Sequence, residues 1–496
     1  MRPSCAIALL AACSLFAVRA RAADEIHWTM LSPTSVAFDW RGQGTTLRYG
    51  LTTAYRSTVT GTTPTPLPFS SVGPFNETII TGLAPGVSYH YSLDGGPDHR
   101  FHTTPAHGST YTVYVEGDIG DTTSYADMGA IQTLIAQGAP SFVLAVGDLT
   151  YGNANGQAKV DNHFNNVMKW SQDAAYMPAW GNHEWDEPTD DFRNYKGRFA
   201  LPNPQTSPGA PSVGGPGKDW YWFDAGTVRF IAYPELFPGA WADWYTKATP
   251  LMDAAQADPS IQFIVTFGHE PAYSSGHHPG SPTLKSYMDS LGAGHSKYVL
   301  NLNGHSHDYE RTKPQSGVVH VTVGTGGAAL EEDGSCLWLM CTQPSWSAYR
   351  AFHHGTLRLR FTPTSIHVDM ICGPPGGGAT DVTCASGDVM DALVIGTDVT
   401  DAPGPQVGAV LAITRVGPNP ASSPLHVEFS LASDAPATLE LVDVAGRRWL
   451  HDELGSLAPG GHTATVSLAS LPGPGVFWLH LSQAGRGVVS KVIVVR

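Results

Sequence analysis

The feature that most constrains this chain is a set of apolar runs, each followed at once by a side chain that can bind a cation. Runs at 112–115, 142–146, 261–267 and 298–302 lead into Gly117-Asp118, Gly147-Asp148, Gly268-His269 and Gly304-His305. In an α/β sheet the carboxyl ends of the strands share an edge, where ligands bind. The pattern therefore predicts a central α/β domain in which these distant residues converge on one site.

Length and charge limit the classes of protein that fit. The chain has 496 residues, 42% of them hydrophobic and 14% charged, which predicts a multidomain globular protein. The formal charge is −15, and the first 23 residues contain three Arg and no acid, so the remainder carries a formal charge of −18. This charge argues against non-specific binding of nucleic acid or anionic membranes. We therefore expect no nucleic-acid partner.

Residues 1–23 resemble a secretory signal peptide. Arg2 provides the positive end, residues 6–18 the apolar stretch, and Ala20-Arg21-Ala22 a small-x-small cleavage pattern. The stretch is too short to span a bilayer, and no other segment predicts an integral membrane span. We expect a secreted or cell-surface protein. A periplasmic location, or a lipid anchor on Cys13 within a lipobox at 10–13, is the alternative.

The cysteines also favour export. Two of the six lie in the signal, and Cys336, Cys341, Cys372 and Cys384 remain. An even number in an exported chain predicts two disulfides, most simply Cys336 with Cys341 and Cys372 with Cys384, among three connectivities. A zinc site is the alternative, although neither pair has C-x-x-C spacing.

Strand and helix patterns divide the chain further. Residues 24–105 show short alternating strands and predict an N-terminal β-sandwich. The segment 82–89 resembles the fibronectin type III turn, with Tyr89 as the corner residue. A structural spacer is expected here, with a binding module as the alternative. Residues 106–398 alternate strands and helices and predict the central α/β (βαβ sandwich) domain.

A linker at 399–409 precedes a third domain at 410–496. Alternating strands predict an immunoglobulin-like β-sandwich, and residues 439–447 form a strand that leads into a tight turn. The segments 417–420 and 475–478 resemble those of FlgD-like and secretion-sorting domains of secreted bacterial proteins. That resemblance implies secretion machinery as a partner. A plain accessory β-sandwich is the alternative.

Five short motifs occur in a fixed order along the central domain. They are Asp118-x-Gly120, Gly147-Asp148-x-x-Tyr151, Gly181-Asn182-His183-Glu184, Val265 to His269, and Gly304-His305-x-His307. Together they resemble the motifs of the purple acid phosphatases, a family of calcineurin-like metallophosphoesterases, over residues 24–395. Val265 stands one position farther from His269 than in the family. The order of five motifs makes the resemblance specific, since each motif alone is weak.

The resemblance implies a binuclear metal centre. Asp118, Tyr151 and His307 would bind the first ion, Asp148 would bridge, and Asn182, His269 and His305 would bind the second. Carboxylate, phenolate and imidazole suit Fe(III) at the first site, and amide with two imidazoles suits Zn, Mn or Fe(II) at the second. Taken singly, Asp118 or Asp148 is more typical of a turn or helix cap, and His305 or His307 of a surface histidine.

The resemblance also assigns residues to the substrate side. His183 matches the catalytic histidine of the family and is expected to contact phosphate or assist the leaving group. His277 and His278 resemble a substrate-side pair, with spacing that differs by one residue, and exposed loop histidines are the alternative. Glu184, Asp308 and Glu310 would either orient imidazoles or be solvent-exposed.

The function expected from these residues is an exported binuclear acid phosphatase that hydrolyses phosphate monoesters with a metal-activated hydroxide. A phosphodiesterase or nucleotide hydrolase with the same metals is the first alternative. A catalytically idle surface-binding protein is the second.

Overall fold

The structure is a computed structural model. It describes residues 22–185, 192–211, 215, 217–331, 342–375, 383–397, 411–417, 419–422, 424–457, 460–469 and 471–495. Internal contacts divide the chain into two compact units, residues 1–397 and residues 398–496.

The first seven strands form two antiparallel sheets. They are β1 (Asp24–Ser32), β2 (Ser35–Arg41), β3 (Thr46–Gly50), β4 (Ser57–Thr60), β5 (Phe75–Ile80), β6 (Ser88–Leu93) and β7 (His99–His102). One sheet has the order β1-β2-β5 and the other β4-β3-β6-β7. Trp28, Phe38 and Phe101 are buried between them. The Tyr89 hydroxyl accepts a 2.8 Å hydrogen bond from the Ala84 N–H, so it closes the turn before β6.

The strands of the central region form two larger sheets. They are β8 (Tyr111–Glu116), β9 (Phe142–Val146), β10 (Ala175–Ala179), β11 (Trp222–Ala225), β12 (Val228–Ala232), β13 (Phe263–Phe267), β14 (Tyr298–Asn303), β15 (Tyr309–Thr312), β16 (Val319–Val323), β17 (Ser347–Ala351), β18 (Gly355–Phe361), β19 (Ser365–Cys372) and β20 (Val389–Gly396). The six-stranded order is β10-β9-β8-β18-β19-β20, and the seven-stranded order is β11-β12-β13-β14-β16-β15-β17. Pro178 is tolerated in β10 because that strand lies at a sheet edge.

Helices accompany these sheets, so the predicted α/β architecture is confirmed. They are α1 (Met128–Gln137), α2 (Gly152–Asn155), α3 (Ala158–Ser171), α4 (Arg193–Lys196), α5 (Ala240–Ala257) and α6 (Pro282–Gly294), with a 3-10 turn at Asn182–Glu184. Strands β8, β9 and β10 are parallel, as are β12, β13, β14 and β16. Their carboxyl ends therefore face the same way within each sheet.

Buried ion pairs join the first sheets to the central region. Arg198 forms a 2.9 Å ion pair with Glu25 and a 3.1 Å pair with Asp161. Arg41 pairs with Asp24, Glu25 and Asp161. Because Glu25 and Arg198 are almost fully buried, losing one would remove one of the two ion-pair partners of the other, which is destabilising.

Asp39 on β2 is buried, and neither of its carboxylate oxygens accepts a hydrogen bond from a described residue. Burial, reinforced by Glu77 on the paired strand and opposed by Lys218 and Arg198, raises its pKa well above the usual range. The folded chain therefore holds a proton that the unfolded chain releases near pH 4, so stability falls as pH rises above that value. Asp39→Asn should remove this loss and raise the free energy of unfolding at pH 7 by about 1–3 kcal/mol.

Denaturant unfolding at pH 4 and pH 7 would measure this effect. Asp94→Asn is the control, since Asp94 is an exposed carboxylate that follows β6 in the other N-terminal sheet. Parallel pH profiles for wild type and Asp39→Asn would contradict the prediction.

The described residues of the second unit form seven strands. They are β21 (Ala412–Gly417), β22 (Leu425–Leu431), β23 (Ala437–Asp443), β24 (Arg448–Gly455), β25 (Gly460–Val466), β26 (Gly475–Gln483) and β27 (Arg486–Val494). Its two antiparallel sheets have the orders β21-β22-β25 and β24-β23-β26-β27. The core includes Phe429, Leu441 and Leu479, and the Asp443 carboxylate accepts the Ala445 and Arg447 N–H groups to form the turn after β23.

One predicted disulfide is present, between Cys372 and Cys384, which ties the end of β19 to the segment before β20. Cys336 and Cys341 lie outside the described residues, so their pairing stays a prediction. Each helix in the described part of the chain is too short or too polar to cross a bilayer.

Candidate metal centre

The predicted ligands follow the carboxyl ends of the central strands. Asp118 comes two residues after β8, Asp148 two after β9, His269 two after β13 and His305 two after β14. Asn182 follows β10 after a short connection. Three of these segments follow strands of the six-stranded sheet and two follow strands of the seven-stranded sheet. The ligand segments therefore come from the carboxyl ends of two sheets, and not from one sheet edge as the strand pattern predicts.

Several of these residues have a strained backbone. Asp118, Asp148, Tyr151 and His305 have φ values of 55°, 50°, 53° and 72°. A left-handed conformation is uncommon for a residue other than glycine and is concentrated at functional sites. Four predicted ligands share this unfavourable backbone conformation. This indicates that the turns are shaped by the direction in which the ligand side chains must point.

Two glycines allow the loops to approach the carboxylates. A Cβ on Gly181 would lie 2.2 Å from Asp148 Oδ1, and one on Gly304 would lie 2.4 Å from Asp118 Oδ2. Both distances are shorter than contacts between non-bonded atoms allow. The glycine in each motif is therefore required by the ligand that faces it.

Asp118, Tyr151 and His307 form the first group of donors. The Tyr151 hydroxyl is 3.0 Å from His307 Nε2 and 3.3 Å from Asp118 Oδ1. His307 Nε2 is also 3.2 Å from Asp118 Oδ1. Burial lowers the pKa of His307, but the Asp118 carboxylate outweighs it and raises the value to about 9. Burial and nearby carboxylates raise the pKa of Tyr151 well above its usual range.

Asn182, His269 and His305 form the second group, next to Asp148. His269 Nε2 is 3.1 Å from Asn182 Oδ1, 3.4 Å from Asp148 Oδ1 and 3.2 Å from His305 Nδ1. Asp118, Asp148 and His269 also offer donor atoms within 4.8 Å of one another, and all three are buried. Burial opposes ionisation of Asp148, but the His269 and His183 imidazoles lower its pKa below the usual range. Asp148 therefore lies between the two groups as an anion.

The hydrogen bonds of the imidazoles show that this donor set fits cations. His269 Nδ1 is 2.9 Å from the Val146 carbonyl and His307 Nδ1 is 2.8 Å from the Ala329 carbonyl, so each of these nitrogens donates. In a neutral imidazole the remaining Nε2 then carries a lone pair, and it faces other oxygen or nitrogen lone pairs. Without an ion a proton occupies this position, as the raised pKa of His307 indicates, and a metal ion would replace that proton.

Glu184 connects two of the ligand loops. Its carboxylate accepts N–H groups from Asp148 at 3.0 Å, Leu149 at 3.0 Å and Gly181 at 2.8 Å. It is fully buried, so the solvent-exposed alternative is wrong, and its partners are backbone amides in place of the predicted imidazoles. Glu184 thus fixes the loop of Asp148 against the loop of Asn182.

His183 lies over the first group of donors. Its ring centroid is 4.4 Å from that of Tyr151, and its Nδ1 is 2.9 Å from Asn153 Oδ1. Its Nε2 is 3.9 Å from Asp148 Oδ2. The ring is half-buried, so Nε2 is held beside the donors at a position that solvent or a ligand can reach.

His277 and His278 lie beside the second group, and their ring centroids are 4.5 Å apart. His278 stacks on His305 with centroids 4.2 Å apart. Burial, together with nearby His277, lowers the pKa of His278 to about 4. Both residues are half-buried at the rim and therefore not the freely exposed loop histidines of the alternative.

Glu310 and Asp308 form hydrogen bonds with the segments that surround the candidate centre. Glu310 accepts the Ser275 N–H at 2.7 Å and the Ser275 and Ser347 hydroxyls at 2.8 and 2.6 Å. Asp308 accepts the Ser306 hydroxyl at 2.6 Å. Both carboxylates are buried, so for them too the exposed alternative is wrong. Through Ser275, Glu310 positions the segment that carries His277 and His278.

Three carboxylates near the donors have no counterpart in the sequence motifs. Glu331 contacts His278 and His307. Glu270 Oε1 is 3.7 Å from His305 Nε2, and buried Glu235 accepts a hydrogen bond from the Trp185 indole. Only Glu270 carries a local signal, because it follows His269 directly. Burial and Glu270 raise the pKa of Glu235 to about 8.

Comparisons with known proteins agree with this arrangement. Residues 111–309 match the family model of calcineurin-like phosphoesterases, and residues 317–377 match that of the iron/zinc purple acid phosphatase-like protein C. The chain therefore contains a calcineurin-like metallophosphoesterase domain. The segment that follows it is of the kind found at the C-terminal side of purple acid phosphatases.

The chain is also similar, at low sequence identity, to curated purple acid phosphatases. Purple acid phosphatase 1 of Ipomoea batatas is 24% identical over 331 residues, which is 57% of this chain and 64% of the relative. The probable inactive purple acid phosphatase 1 of Arabidopsis thaliana is 23% identical over 358 residues, 62% of this chain and 57% of the relative. The chain thus spans less than two thirds of the length of these relatives.

A solved structure shows the same fold. Purple acid phosphatase PPD1 from yellow lupin superposes with a TM-score of 0.58 at 18% identity. The superposition covers 75% of this chain and 74% of the lupin chain. At this identity the likeness concerns the fold alone.

Proposed function

We propose that this chain is an exported, purple-type binuclear acid phosphatase that hydrolyses phosphate monoesters. The observation that carries the proposal is the arrangement of two groups of donors on either side of Asp148. The family match and the relatives support a metal-dependent phosphoesterase.

The residues fit two different ions. Asp118, Tyr151, His307 and Asp148 would hold Fe(III), because carboxylate and phenolate oxygens are hard anionic ligands. Asn182, His269, His305 and Asp148 would hold Zn, Mn or Fe(II). When bound, the ions lower the pKa of coordinated water and supply hydroxide near neutral pH or below.

The chain's own groups then orient the ester. His183 Nε2 lies at the open side of the donors, where it can hydrogen-bond a phosphate oxygen or give a proton to the leaving oxygen. Its Nδ1 contact with Asn153 fixes the ring. His277 and His278 line the other side of the opening, above His305.

Tyr151→Phe tests the ferric assignment. We expect the iron-loaded variant to lose or shift the visible absorption band of the wild type, because phenylalanine has no phenolate oxygen to donate charge to Fe(III). Absorption spectra and iron content measured on the same samples would check this. A colourless wild-type protein with iron bound would contradict the assignment.

Turnover measurements test the function itself. Metal-loaded protein should hydrolyse p-nitrophenyl phosphate faster than bis(p-nitrophenyl) phosphate, with nucleotides and phytate completing the panel. Preference for the diester would favour the phosphodiesterase alternative. No turnover with both ions bound would favour the idle alternative.

The remaining parts of the proposal concern the flanking regions. The Tyr89 hydroxyl contact with Ala84 supports a fibronectin type III-like relationship for residues 24–105. The two antiparallel sheets of residues 411–495 support an immunoglobulin-like sorting domain. Export is proposed from the signal-like residues 1–23, and the Cys372–Cys384 disulfide is consistent with an oxidising compartment.

A further inference from the structure

Glu331 introduces a negative charge on the side of the centre where the phosphate group of a substrate is expected. Its Oε2 lies 3.4 Å from His278 Nε2 and its Oε1 lies 3.8 Å from His307 Nδ1. Its backbone N–H donates to the His307 carbonyl at 3.2 Å, so the residue is attached to the ligand loop. An ionised carboxylate at this position would repel a phosphate dianion. A cation beside it would remove that repulsion.

The geometry around Glu331 is that of a cation site. His277, His278 and Glu331 each offer one donor atom, and these atoms lie within 4.8 Å of one another. Although Glu331 Oε2 is buried and close to His278 Nε2, it accepts no hydrogen bond from any described residue. His278 Nε2 and Glu331 Oε2 are therefore close together without a hydrogen bond between them, and both can direct a lone pair at a cation placed beside them. Two imidazoles and one carboxylate form a set that binds Zn²⁺ with a position left open.

We propose that His277, His278 and Glu331 form a third divalent-cation site, suited to Zn²⁺, whose occupancy is coupled to phosphate. The proposal rests on the proposed function, because the coupling requires the binuclear centre. It changes the role of the histidine pair, which would reach phosphate through the cation instead of touching it directly.

The coupling follows from charge. His278 stacks on the ligand His305 at 4.2 Å, so a third cation would lie close to the second metal. Like charges at this separation repel, and the third site is therefore weak in the free holoenzyme. A phosphate group between the cations would offset the repulsion. By linkage, Zn²⁺ at the third site must then strengthen phosphate binding by the same factor by which phosphate strengthens Zn²⁺ binding.

Equilibrium dialysis of the two-metal holoenzyme against micromolar Zn²⁺, with and without inorganic phosphate, tests the proposal. We expect one further Zn²⁺ per chain in the presence of phosphate, and a tighter inhibition constant for phosphate as Zn²⁺ is added. Glu331→Gln should weaken the third Zn²⁺ by about tenfold or more, as loss of a metal-site carboxylate does. In this variant the inhibition constant should no longer depend on Zn²⁺.

His278→Asn is the second variant, so that the outcome does not depend on the folding of one protein. Asp253→Asn is the matched control. Asp253 lies on α5 and forms a comparable 3.1 Å pair with His295, the residue directly after α6, and neither residue belongs to the candidate centre. It should bind the third Zn²⁺ like the wild type.

Two outcomes overturn the proposal. One is a wild type that binds only two ions and turns over substrate whether or not Zn²⁺ is added. The other is a third Zn²⁺ that persists unchanged in both Glu331→Gln and His278→Asn. Failure of the proposed function looks different, since the wild type would then bind no metal ions or have both bound without turnover.

Discussion

Asp148→Ala is expected to abolish turnover of p-nitrophenyl phosphate by the metal-loaded protein. Asp148 Oδ1 lies 3.4 Å from His269 Nε2 and accepts the His183 N–H at 3.0 Å, and Asp148 also offers a donor atom within 4.8 Å of one on Asp118. Its removal would take away the ligand that we propose both ions share. Loss of several kcal/mol of transition-state stabilisation corresponds to a rate decrease of about 10³-fold or more.

Asp121→Ala is the matched control for this variant. Asp121 is also a buried carboxylate close to a ligand loop, but it accepts hydrogen bonds from Thr123 and Ser124 and lies outside the donor groups. It should retain turnover once it is folded and metal-loaded. Wild-type activity in Asp148→Ala at saturating metal would contradict the proposed mechanism.

Glu184→Gln should weaken the binding of both ions by about 10- to 100-fold, the usual effect of losing a group that orients metal ligands. The carboxylate accepts three backbone N–H groups, from Asp148, Leu149 and Gly181. Glutamine has one oxygen in place of two, and its NH₂ group would face amide donors. The two ligand loops would then separate, and Asp148 and Asn182 would both move.

Competition with a chelator would measure the affinities, and turnover at saturating metal would show whether the chemistry survives. Glu116→Gln is a suitable control, since Glu116 is a buried carboxyl before Asp118 that contacts Gln132 and not the loops. Should Glu184→Gln hold its metals as tightly as Glu116→Gln, Glu184 has no role in joining the loops.

Local sequence signals account for the donors that the structure brings together. Asp118, Asp148, His269 and His305 each follow a glycine at the end of an apolar run, and this pattern is visible without tertiary information. The predicted apolar run at 261–267 is longer than the strand, because β13 spans only Phe263–Phe267. Ile261 is buried but lies before the strand. The α/β fold follows from the same runs.

The burial and the contacts of the carboxylates around the donors are not visible in the sequence. Glu331 lies in a loop without a periodic pattern of apolar residues. Its contact with His307 joins two residues that are distant in sequence, so it is seen only in the folded chain. Glu310 and Asp308 resemble surface residues in sequence, because a charged side chain is usually exposed. Their burial comes from contacts with Ser275 and Ser306 that only the folded chain makes.

The ion pairs of Arg198 connect the N-terminal sheets to the central α/β region, so the N-terminal sheets contribute to the folding stability of that region. Glu25 and Arg198 are separated by 173 positions in sequence, and His27 Nε2 lies 2.7 Å from the Arg198 carbonyl. A shortened chain that starts at residue 106 would keep every predicted metal ligand. It would also expose a guanidinium that has lost Glu25, and we infer that such a chain cannot be purified as a folded enzyme.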